Sequence, residues 1–363
     1  MILVIDIGNT TIAFTGIEAG DNDAGKADAG ETAAGDSGAG YAAAEDSHGT
    51  GLLLKEDFSV LFEAKLPTET GKDTEKFLFE AGRLLGEYGI VFPPENSRNS
   101  QNGREVDIVA ISSVVPAVTP AAACLAQRLC RVPPVIVSCR CDSGLSFERL
   151  PAPEKLGADR IADAAWAAAR YPLPAMTADL GTATTINVIA PPRGKEASGG
   201  KEDGGSALSA SAAAQPVCPD TEAKDAEAKN ADGKEGIKGV FMGGMIGAGV
   251  RTSLRALRTG TAQLPAPELR PVPEEDLIGR DTEACMLSSA VVGTAALIEG
   301  LALRVEEQLG MPLTLILTGG NAGVTAPWIR RPFFLEPSLA SKGTAWIALR
   351  ELRKARETSD CEP

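Results

Sequence analysis

The sequence predicts an α/β fold made of two similarly folded domains that face each other across a cleft. Two observations lead to this prediction. Short β-rich runs alternate along the chain with longer runs of helical periodicity. The motif Asp-x-Gly-x-x-Thr occurs twice, beginning at Asp6 and at Asp179, and each copy follows an apolar run typical of a buried strand. We therefore place one domain at residues 1–174 and the other at residues 175–363.

The individual elements follow from the same periodicities, taken in chain order. The predicted strands lie at residues 3–5, 12–14, 108–112, 135–137, 185–189 and 313–317. The predicted helices lie at residues 74–88, 119–131, 159–170, 282–308 and, as a terminal helix, 342–356. Gly293 and Gly300 lie inside the fourth of these helices and are typical of an interrupted helix.

Two low-complexity insertions interrupt this pattern, at about residues 18–51 and 191–236. Both are rich in small and charged residues, and neither carries enough apolar surface to offset the entropy lost on ordering it. Each follows a predicted strand, where a hairpin loop can lengthen. We therefore predict two long loops there and a shorter loop at residues 93–104.

Composition excludes several classes of function. The chain has 363 residues and a formal net charge of -14, most of which comes from the two insertions. No basic region exists that would attract nucleic acid. The single histidine, His48, lies in the first insertion, so histidine-based catalytic triads and histidine metal sites are excluded.

Cysteine usage and the apolar pattern bear on the compartment. The seven cysteines are odd in number and lack zinc-binding spacing, which indicates a reducing environment. The chain opens with an apolar strand rather than a signal peptide, and its apolar runs are interrupted short of a membrane span. These features favour a cytoplasmic protein that does not contact a membrane.

The two repeated bends have the composition of a phosphate site. Glycine lets the backbone approach an anion and turn its N–H groups toward it. The hydroxyls of Thr10, Thr11, Thr182 and Thr184 can donate hydrogen bonds to phosphoryl oxygens, and Asp6 can hold a hydrated Mg²⁺. A single bend of this kind is usually only a tight turn. Two strand-linked copies with matching spacing are more specific and predict a polyphosphate held between them.

Two further glycine-rich segments follow apolar runs. Thr318-Gly319-Gly320 ends a predicted strand and is suited to lie flat against an adenine or a ribose. Residues 243–249 resemble a dinucleotide-binding loop only loosely, and we interpret them as close backbone packing or the entry to a helix.

Gly157-Ala158-Asp159-Arg160 opens a predicted helix and has two interpretations. Asp159 is either an ordinary N-cap beside a solvated Arg160, or a functional carboxylate at a helix N-terminus, where the dipole favours negative charge. In the second case Asp159 accepts the proton of an attacking hydroxyl and Arg160 meets an anionic group of the substrate. The residues alone leave both interpretations open.

At these positions the sequence resembles the type III pantothenate kinases, a family of the actin, sugar-kinase and heat-shock-ATPase superfamily. The matching segments occur in family order and cover the chain outside the insertions. They are Asp6-Ile7-Gly8-Asn9-Thr10-Thr11, Ile111-Ser112-Ser113-Val114-Val115-Pro116, Leu156-Gly157-Ala158-Asp159-Arg160, Asp179-Leu180-Gly181-Thr182-Ala183-Thr184, Gly243-Gly244-Met245-Ile246, Ile278-Gly279-Arg280-Asp281-Thr282 and Thr318-Gly319-Gly320.

The resemblance implies two ribonuclease-H-like (actin-like ATPase) domains that flank a nucleotide cleft, and the phosphorylation of pantothenate by ATP. The implied ATP contacts are Asp6, Ile7, Gly8, Asn9, Thr10, Thr11, Ile12, Ala13 and Thr182. The implied pantothenate contacts are Gly157, Ala158, Asp159, Arg160 and, across a homodimer interface, Thr282. Asp159 is implied as the proton acceptor and Asp179 as a ligand of a monovalent cation, K⁺ or NH₄⁺, while Mg²⁺ accompanies the ATP.

The chain departs from the family pattern at two positions. The family usually has Tyr nine residues before the catalytic Asp, where this chain has Leu150, and Phe147 is the nearby aromatic substitute. Ala248 stands where the family's glycine-rich segment usually has Pro.

Two other functions fit the same scaffold. One is a nucleotide-binding regulator without kinase turnover, and the other is a phosphatase. Asp159 and Arg160 favour the kinase, because a regulator needs no base and a phosphatase needs a residue aimed at water.

Overall fold

The computed structural model describes residues 1–21, 56–91, 104–192 and 236–359. The strands are β1 (Ile2–Ile7), β2 (Thr11–Asp21), β3 (Glu56–Pro67), β4 (Ile108–Ser113), β5 (Val135–Ile136), β6 (Leu145–Ser146), β7 (Ala175–Leu180), β8 (Ala183–Ala190), β9 (Gly239–Ala248), β10 (Thr314–Thr318) and β11 (Phe334–Leu335). The helices are α1 (Thr74–Gly86), α2 (Thr119–Leu129), α3 (Ala158–Arg170), α4 (Val250–Gly260), α5 (Thr282–Leu309), α6 (Ala322–Thr325) and α7 (Leu339–Ser359). Short 3₁₀ turns connect several of them.

The predicted loops lie largely outside the described residues. Of the insertion predicted at about 18–51, residues 18–21 extend β2 and the rest is not described. Of the insertion predicted at 191–236 and the loop predicted at 93–104, only Pro191, Pro192, Gly236 and Arg104 are described.

The strands form two sheets that repeat one topology. The first sheet has the order β3-β2-β1-β4-β5, and the second has the order β11-β10-β7-β8-β9-β6. In the first sheet, the central strand β1 pairs antiparallel with β2 and parallel with β4. In the second sheet, β7 pairs in the same way, antiparallel with β8 and parallel with β10. The short strand β6 is the one addition, parallel to β9 at the edge. The duplicated motif therefore belongs to a duplicated mixed α/β unit.

Two helices join the sheets through one hydrophobic core. The α3 helix contacts β4 of the first sheet and β7, β8 and β9 of the second, and α7 contacts β1, β2 and β4. Trp166 of α3 and Trp346 of α7 meet edge to face, with ring centroids 6.4 Å apart. The α7 helix comes from the second half of the chain but covers the sheet of the first half, so the core crosses the predicted domain boundary. The division into domains at residues 174 and 175 therefore stays a prediction.

Several elements differ from their sequence predictions. The α5 helix is continuous through Gly293 and Gly300, because the apolar residues around them, such as Ala295 and Ile298, pack into a core that holds the helix. The strands β3 and β9 and the helix α4 were not predicted. Apolar residues alternate with charged ones at Phe62, Ala64 and Leu66, which was a usable strand signal in β3, whereas the glycines of β9 conceal its pattern.

Among the described residues, α5 is the one helix long and apolar enough to cross a membrane, and 44% of its most apolar window is buried. The prediction that every apolar run stops short of a span therefore does not hold for α5. Ala295 and Ile298 pack into the core of the second sheet, and Leu287 and Val291 pack against α4. This packing is what a core helix of the same length and composition also shows.

The crossing of α7 over α3 gives a test of this packing. A β-carbon at Gly343 would overlap the carbonyl oxygen of Ala162. We expect Gly343→Ala to lower the free energy of unfolding by about 2–3 kcal/mol, measured by urea denaturation, because a backbone atom yields less than a side chain. The matched control is Gly293→Ala in α5, where a β-carbon meets nothing within 4 Å. It should be neutral or stabilise by up to about 1 kcal/mol, and equal destabilisation by both changes would contradict the crossing.

Candidate active site

The two Asp-x-Gly bends line opposite parts of one cleft, which has a volume of about 340 Å³. The first bend contributes residues 6–11 and the second contributes Asp179, Gly181 and Thr182. The other residues that line the cleft are Ala13, Glu63, Lys65, Val114, Asp159, Asp163, Ala183, Thr185, Thr318, Gly319, Gly320, Pro337, Ser338, Ala340 and Ser341. The predicted convergence of the two bends is confirmed.

The first bend is fixed by hydrogen bonds to its neighbours. Gly8 N–H donates to the carbonyl of Thr11 (2.9 Å), and the Thr68 hydroxyl donates to the carbonyl of Gly8 (2.7 Å). Thr68 N–H donates to the carbonyl of Thr10 (3.1 Å). A single residue after β3 thus holds the bend from outside the hairpin, so its shape does not depend on a ligand.

The second bend is one residue shorter and is fixed in the same way. Gly181 N–H donates to the carbonyl of Ala183 (3.0 Å). The Asn321 side-chain amide donates to the carbonyl of Gly181 (3.1 Å), and the Thr252 hydroxyl donates to the carbonyl of Thr182 (2.6 Å). These donors come from α4 and from the residue before α6, and the first bend is held by Thr68. Both bends are therefore preorganised by residues that come later in the chain.

The glycine pair after β10 forms a third wall. Gly319 has a φ of 90°, which favours glycine, and a β-carbon there would overlap a carboxylate oxygen of Asp179. Asn321 N–H donates to the carbonyl of Leu180 (2.9 Å) and ties this segment to the second bend. The predicted third element is therefore part of the same cleft.

The N-terminus of α3 delivers Asp159 to the cleft. The N-cap is Gly157, and Asp159 lies in the first helical turn, where its Oδ1 accepts from the N–H of Arg160 (2.8 Å). A β-carbon at residue 157 would overlap that same oxygen, so glycine leaves room for the carboxylate. The interpretation of Asp159 as the N-cap is wrong, and its carboxylate sits where the helix dipole favours negative charge.

Five carboxylates line the cleft, and three of them have a raised pKa. Burial raises the pKa of Asp6 to about 6, helped by the charge of Asp159. Burial, with the charges of Asp159 and Asp6, raises the pKa of Asp179 to about 7. Asp163 is 2% exposed, and burial together with Asp179 and Asp159 raises its pKa well above the ordinary value. Lys65 is the one cation that lines the cleft in the described part of the chain, and it is paired with Glu63 (2.7 Å).

The carboxylates of the cleft suit a cation whose other ligands are water molecules or substrate oxygens. Within the described ranges, no group of three or more His, Cys, Asp or Glu side chains is arranged to hold a metal alone. A Mg²⁺ ion usually keeps several waters and is shared with substrate phosphates, so one or two carboxylates suffice. The carboxylates of Asp6 and Asp179, which repel each other when the cleft holds no cation, are suited to that role.

The structure separates the predicted site residues into two groups. Those that line the cleft are Asp6, Ile7, Gly8, Asn9, Thr10, Thr11, Ala13, Asp159, Asp179 and Thr182. Those that do not are Ile12, Gly157, Ala158, Arg160, Thr282 and Thr184, whose buried hydroxyl donates instead to the carbonyl of Ala248. Ile12 is fully buried in the core of the first sheet because its side chain alternates away from the cleft, and Thr282 is exposed at the first position of α5.

Arg160 is half-buried and does not line the cleft. Its Nε donates to Oδ1 of Asn187 (2.7 Å), and its guanidinium carbon lies 5.5 Å from the centroid of the Phe241 ring. Phe147 packs against the same Phe241 ring, with centroids 6.1 Å apart, and both Phe147 and Leu150 pack against the central core. Phe147 thus reaches Arg160 only through the ring of Phe241.

Sequence reasoning missed three parts of the cleft. Asp163 follows Asp159 by four residues, a spacing that places both on one helix face and was a usable signal. Glu63 and Lys65 arrive on β3 by pairing with β2, and the segment from Pro337 to Ser341 arrives from the start of α7. Nothing in the local sequence marks these last two.

Two sheets of one topology, each presenting a hairpin bend to a shared acidic cleft, are the architecture of the actin-like fold class. The sequence defines the family more narrowly. A sequence model of the type III pantothenate kinases matches residues 83–215 and 236–304, and this chain belongs to that family of kinases.

Individual relatives agree with this assignment. The chain is 27% identical over 283 residues to a type III pantothenate kinase of Caulobacter vibrioides, covering 78% of this chain and 86% of the relative. It is 32% identical over 239 residues to one of Thermomicrobium roseum, covering 66% and 73%. The crystal structure of a conserved putative Baf family transcriptional activator from Campylobacter jejuni superposes over 97% of this chain and 99% of its own, with a TM-score of 0.43 and 12% identity. At that TM-score the likeness supports no statement about this chain.

The raised pKa of Asp179 gives a pH-dependent prediction. The folded chain retains a proton on Asp179 up to about pH 7, whereas the ordinary pKa is 3.8, so stability falls as pH rises through this window. In buffer free of K⁺, NH₄⁺ and divalent cations, Asp179→Asn should therefore raise the free energy of unfolding by a few kcal/mol at pH 8 and by clearly less at pH 5.

Thermal and urea unfolding at both pH values would measure this difference. The matched control is Glu154→Gln, which removes an exposed carboxylate five residues before Asp159 and should give no pH-dependent gain. A gain for Asp179→Asn that is equal at pH 5 and pH 8 would show that charge repulsion is not its source.

Proposed function

We propose that this chain transfers the γ-phosphoryl group of ATP to the primary hydroxyl of pantothenate, giving 4'-phosphopantothenate, the first step of coenzyme A biosynthesis. One observation carries the proposal. In a member of the type III pantothenate kinase family, both Asp-x-Gly bends and the carboxylate of Asp159 line one cleft.

In this proposal the first bend and Thr182 hold the triphosphate. Backbone N–H groups and the hydroxyls of Thr10, Thr11 and Thr182 donate to phosphoryl oxygens, and the glycines permit close approach. Asp6 would hold Mg²⁺ through water, and Asp179 would hold a monovalent cation, K⁺ or NH₄⁺. Bound there, these cations supply positive charge that balances the phosphates and the developing charge of the transferred group.

Asp159 is proposed as the proton acceptor for the attacking hydroxyl. Its support is its position in the cleft beside both bends, at a helix N-terminus, with the β-carbon-free Gly157 leaving space around Oδ1. Because phosphoryl transfer has a loose transition state, positioning the hydroxyl contributes as much as basicity. Gly157, Ala158 and Arg160 would form the pantothenate site beside it, completed by Thr282 of a second copy in a homodimer.

The proposed surroundings follow from the substrates. ATP and pantothenate are small cytoplasmic metabolites, so we place the protein in the cytoplasm, without nucleic acid or membrane partners. Within the described residues nothing specifically favours the regulator or the phosphatase, and both become outcomes of the assay below.

The first test is the removal of the proposed base. We expect Asp159→Asn to lower pantothenate-dependent ADP release by about 10²- to 10⁴-fold, because the hydroxyl loses its proton acceptor. The KM for ATP should change by less than about threefold, since uniform nucleotide binding is retained. Glu154→Gln is the matched control and should match the parent chain. Unchanged turnover in Asp159→Asn would remove it as the base.

The same assay separates the other functions. A regulator would bind ATP without ADP release in the presence of pantothenate. A phosphatase would release inorganic phosphate whether or not pantothenate is present. Either result with the parent chain would refute the proposed function.

The second test concerns the monovalent cation. Replacing K⁺ by tetramethylammonium at constant ionic strength should lower turnover by about tenfold or more, because the carboxylates of the cleft lose their counterion. Asp179→Asn should have a low rate that no longer responds to K⁺. A variant that keeps the full response to K⁺ would place the cation elsewhere.

A further inference from the structure

Three residues form one row across the second sheet beneath Arg160. Thr177 on β7 is directly opposite Asn187 on β8, and Asn187 is directly opposite Gly244 on β9. Thr177 and Asn187 are fully buried. Because directly opposite residues project from the same face of a sheet, the row forms a continuous platform on which the Arg160 side chain from α3 rests.

The amide of Asn187 has only one orientation that satisfies its neighbours. Arginine can only donate, so the amide oxygen must face Nε of Arg160, at 2.7 Å. The amide nitrogen then donates to the hydroxyl of Thr177, at 3.1 Å. Both polar atoms of the Asn187 amide are therefore hydrogen-bonded, and Asn187 contacts the guanidinium of Arg160 only at Nε.

Two further contacts define where the guanidinium lies. Its plane rests near the ring of Phe241, and a β-carbon at Gly244 would lie 2.8 Å from Nη2 and overlap the carbonyl oxygen of Ile186. Glycine at residue 244 thus leaves the space that Nη2 occupies. No described residue accepts a hydrogen bond from Nη1 or Nη2, so these two donors of a half-buried cation have no hydrogen-bond partner among the described residues, although the charges of Asp159 and Asp163 act on the group.

We propose that Asn187 is a positioning residue that turns Arg160 into a carboxylate-binding fork, and that this fork selects substrates ending in a carboxylate. The inference rests on the proposed function, because pantothenate ends in a carboxylate at the far end from its primary hydroxyl. With Nε committed to Asn187, the two Nη groups form the remaining planar pair of donors, which matches the two oxygens of a carboxylate.

The neighbouring Asp159 makes this geometry useful. Asp159 and Arg160 are consecutive at the start of α3, yet Asp159 lines the nucleotide cleft while Arg160 lies on the second sheet. Their side chains thus diverge from one helix turn. A substrate that spans them has its hydroxyl at the phosphates and its charged end on the Thr177–Asn187–Gly244 row.

The test compares pantothenate with its alcohol analogue, in which a hydroxymethyl group replaces the carboxylate. Asn187→Leu keeps a similar volume but removes the acceptor of Nε. We expect its KM for pantothenate to rise by about 10- to 100-fold, because a hydrogen bond to a charged group is lost. Its KM for ATP should change by less than about threefold, and its preference for pantothenate over the alcohol should fall by the same factor as the KM rises.

Two companion variants guard against a folding defect. Asn187→Asp retains an acceptor for Nε and should restore most of the preference for the carboxylate. Thr177→Val removes the group that holds the amide but leaves Arg160 and Asn187 in place, and should lower the preference by about 3- to 10-fold. Thermal unfolding of each variant, with the KM for ATP, reports on the fold independently.

A double-variant comparison completes the test. If Asn187 acts through Arg160, adding Asn187→Leu to Arg160→Met should lower the preference no further than Arg160→Met alone. An additive effect, or an Asn187→Leu variant that keeps the full preference while the parent chain phosphorylates pantothenate, would overturn this inference alone. A parent chain without pantothenate-dependent ADP release would instead refute the proposed function.

Discussion

Four aspartates in one cleft repel each other, and the fold has to hold them together against that repulsion. Asp6 and Asp179 end the central strands of two equivalent sheets, and Asp159 and Asp163 share one face of the helix between them. Burial and mutual charge raise the pKa values of Asp6 and Asp179 to about 6 and 7. Such a cleft stores unfavourable electrostatic energy, and any positive charge that binds there would relieve it.

The features that could be predicted from the sequence are those coded locally. The repeated Asp-x-Gly motif predicted both hairpins, and their meeting is confirmed because the duplicated topology brings equivalent strand ends to one cleft. The helix that begins with Ala158 and the glycine pair after β10 were equally readable. Glu63, Lys65 and the start of α7 were not, because strand pairing and the return of the chain end decide their places.

Arg160 shows how a residue can be found from a motif while its role is missed. The sequence places it next to Asp159, which suggests that both act at one point. The structure puts it on the second sheet, where the register of three strands aligns Thr177, Asn187 and Gly244 under its guanidinium. Strand register depends on long-range pairing, so no spacing within one sequence segment could predict that Asn187 contacts Arg160. The need for glycine at residue 244 is likewise visible only in the structure, where a β-carbon would meet the carbonyl oxygen of Ile186 and Nη2 of Arg160.

The packing of α7 on the first sheet has a consequence for the order in which the chain can fold during synthesis. The strands β1, β2 and β4 are synthesised early, but the helix that covers them follows every strand of the second sheet. During synthesis, the part of the first sheet that α7 covers therefore stays without this cover until every strand of both sheets has been made. The hydroxyls of Thr15 and Ser341, 3.1 Å apart, are joined only once α7 has docked, and Ser341 also lines the cleft. The wall formed by Pro337, Ser338, Ala340 and Ser341 thus follows every strand of both sheets, so a chain that stops after β11 lacks that side of the cleft.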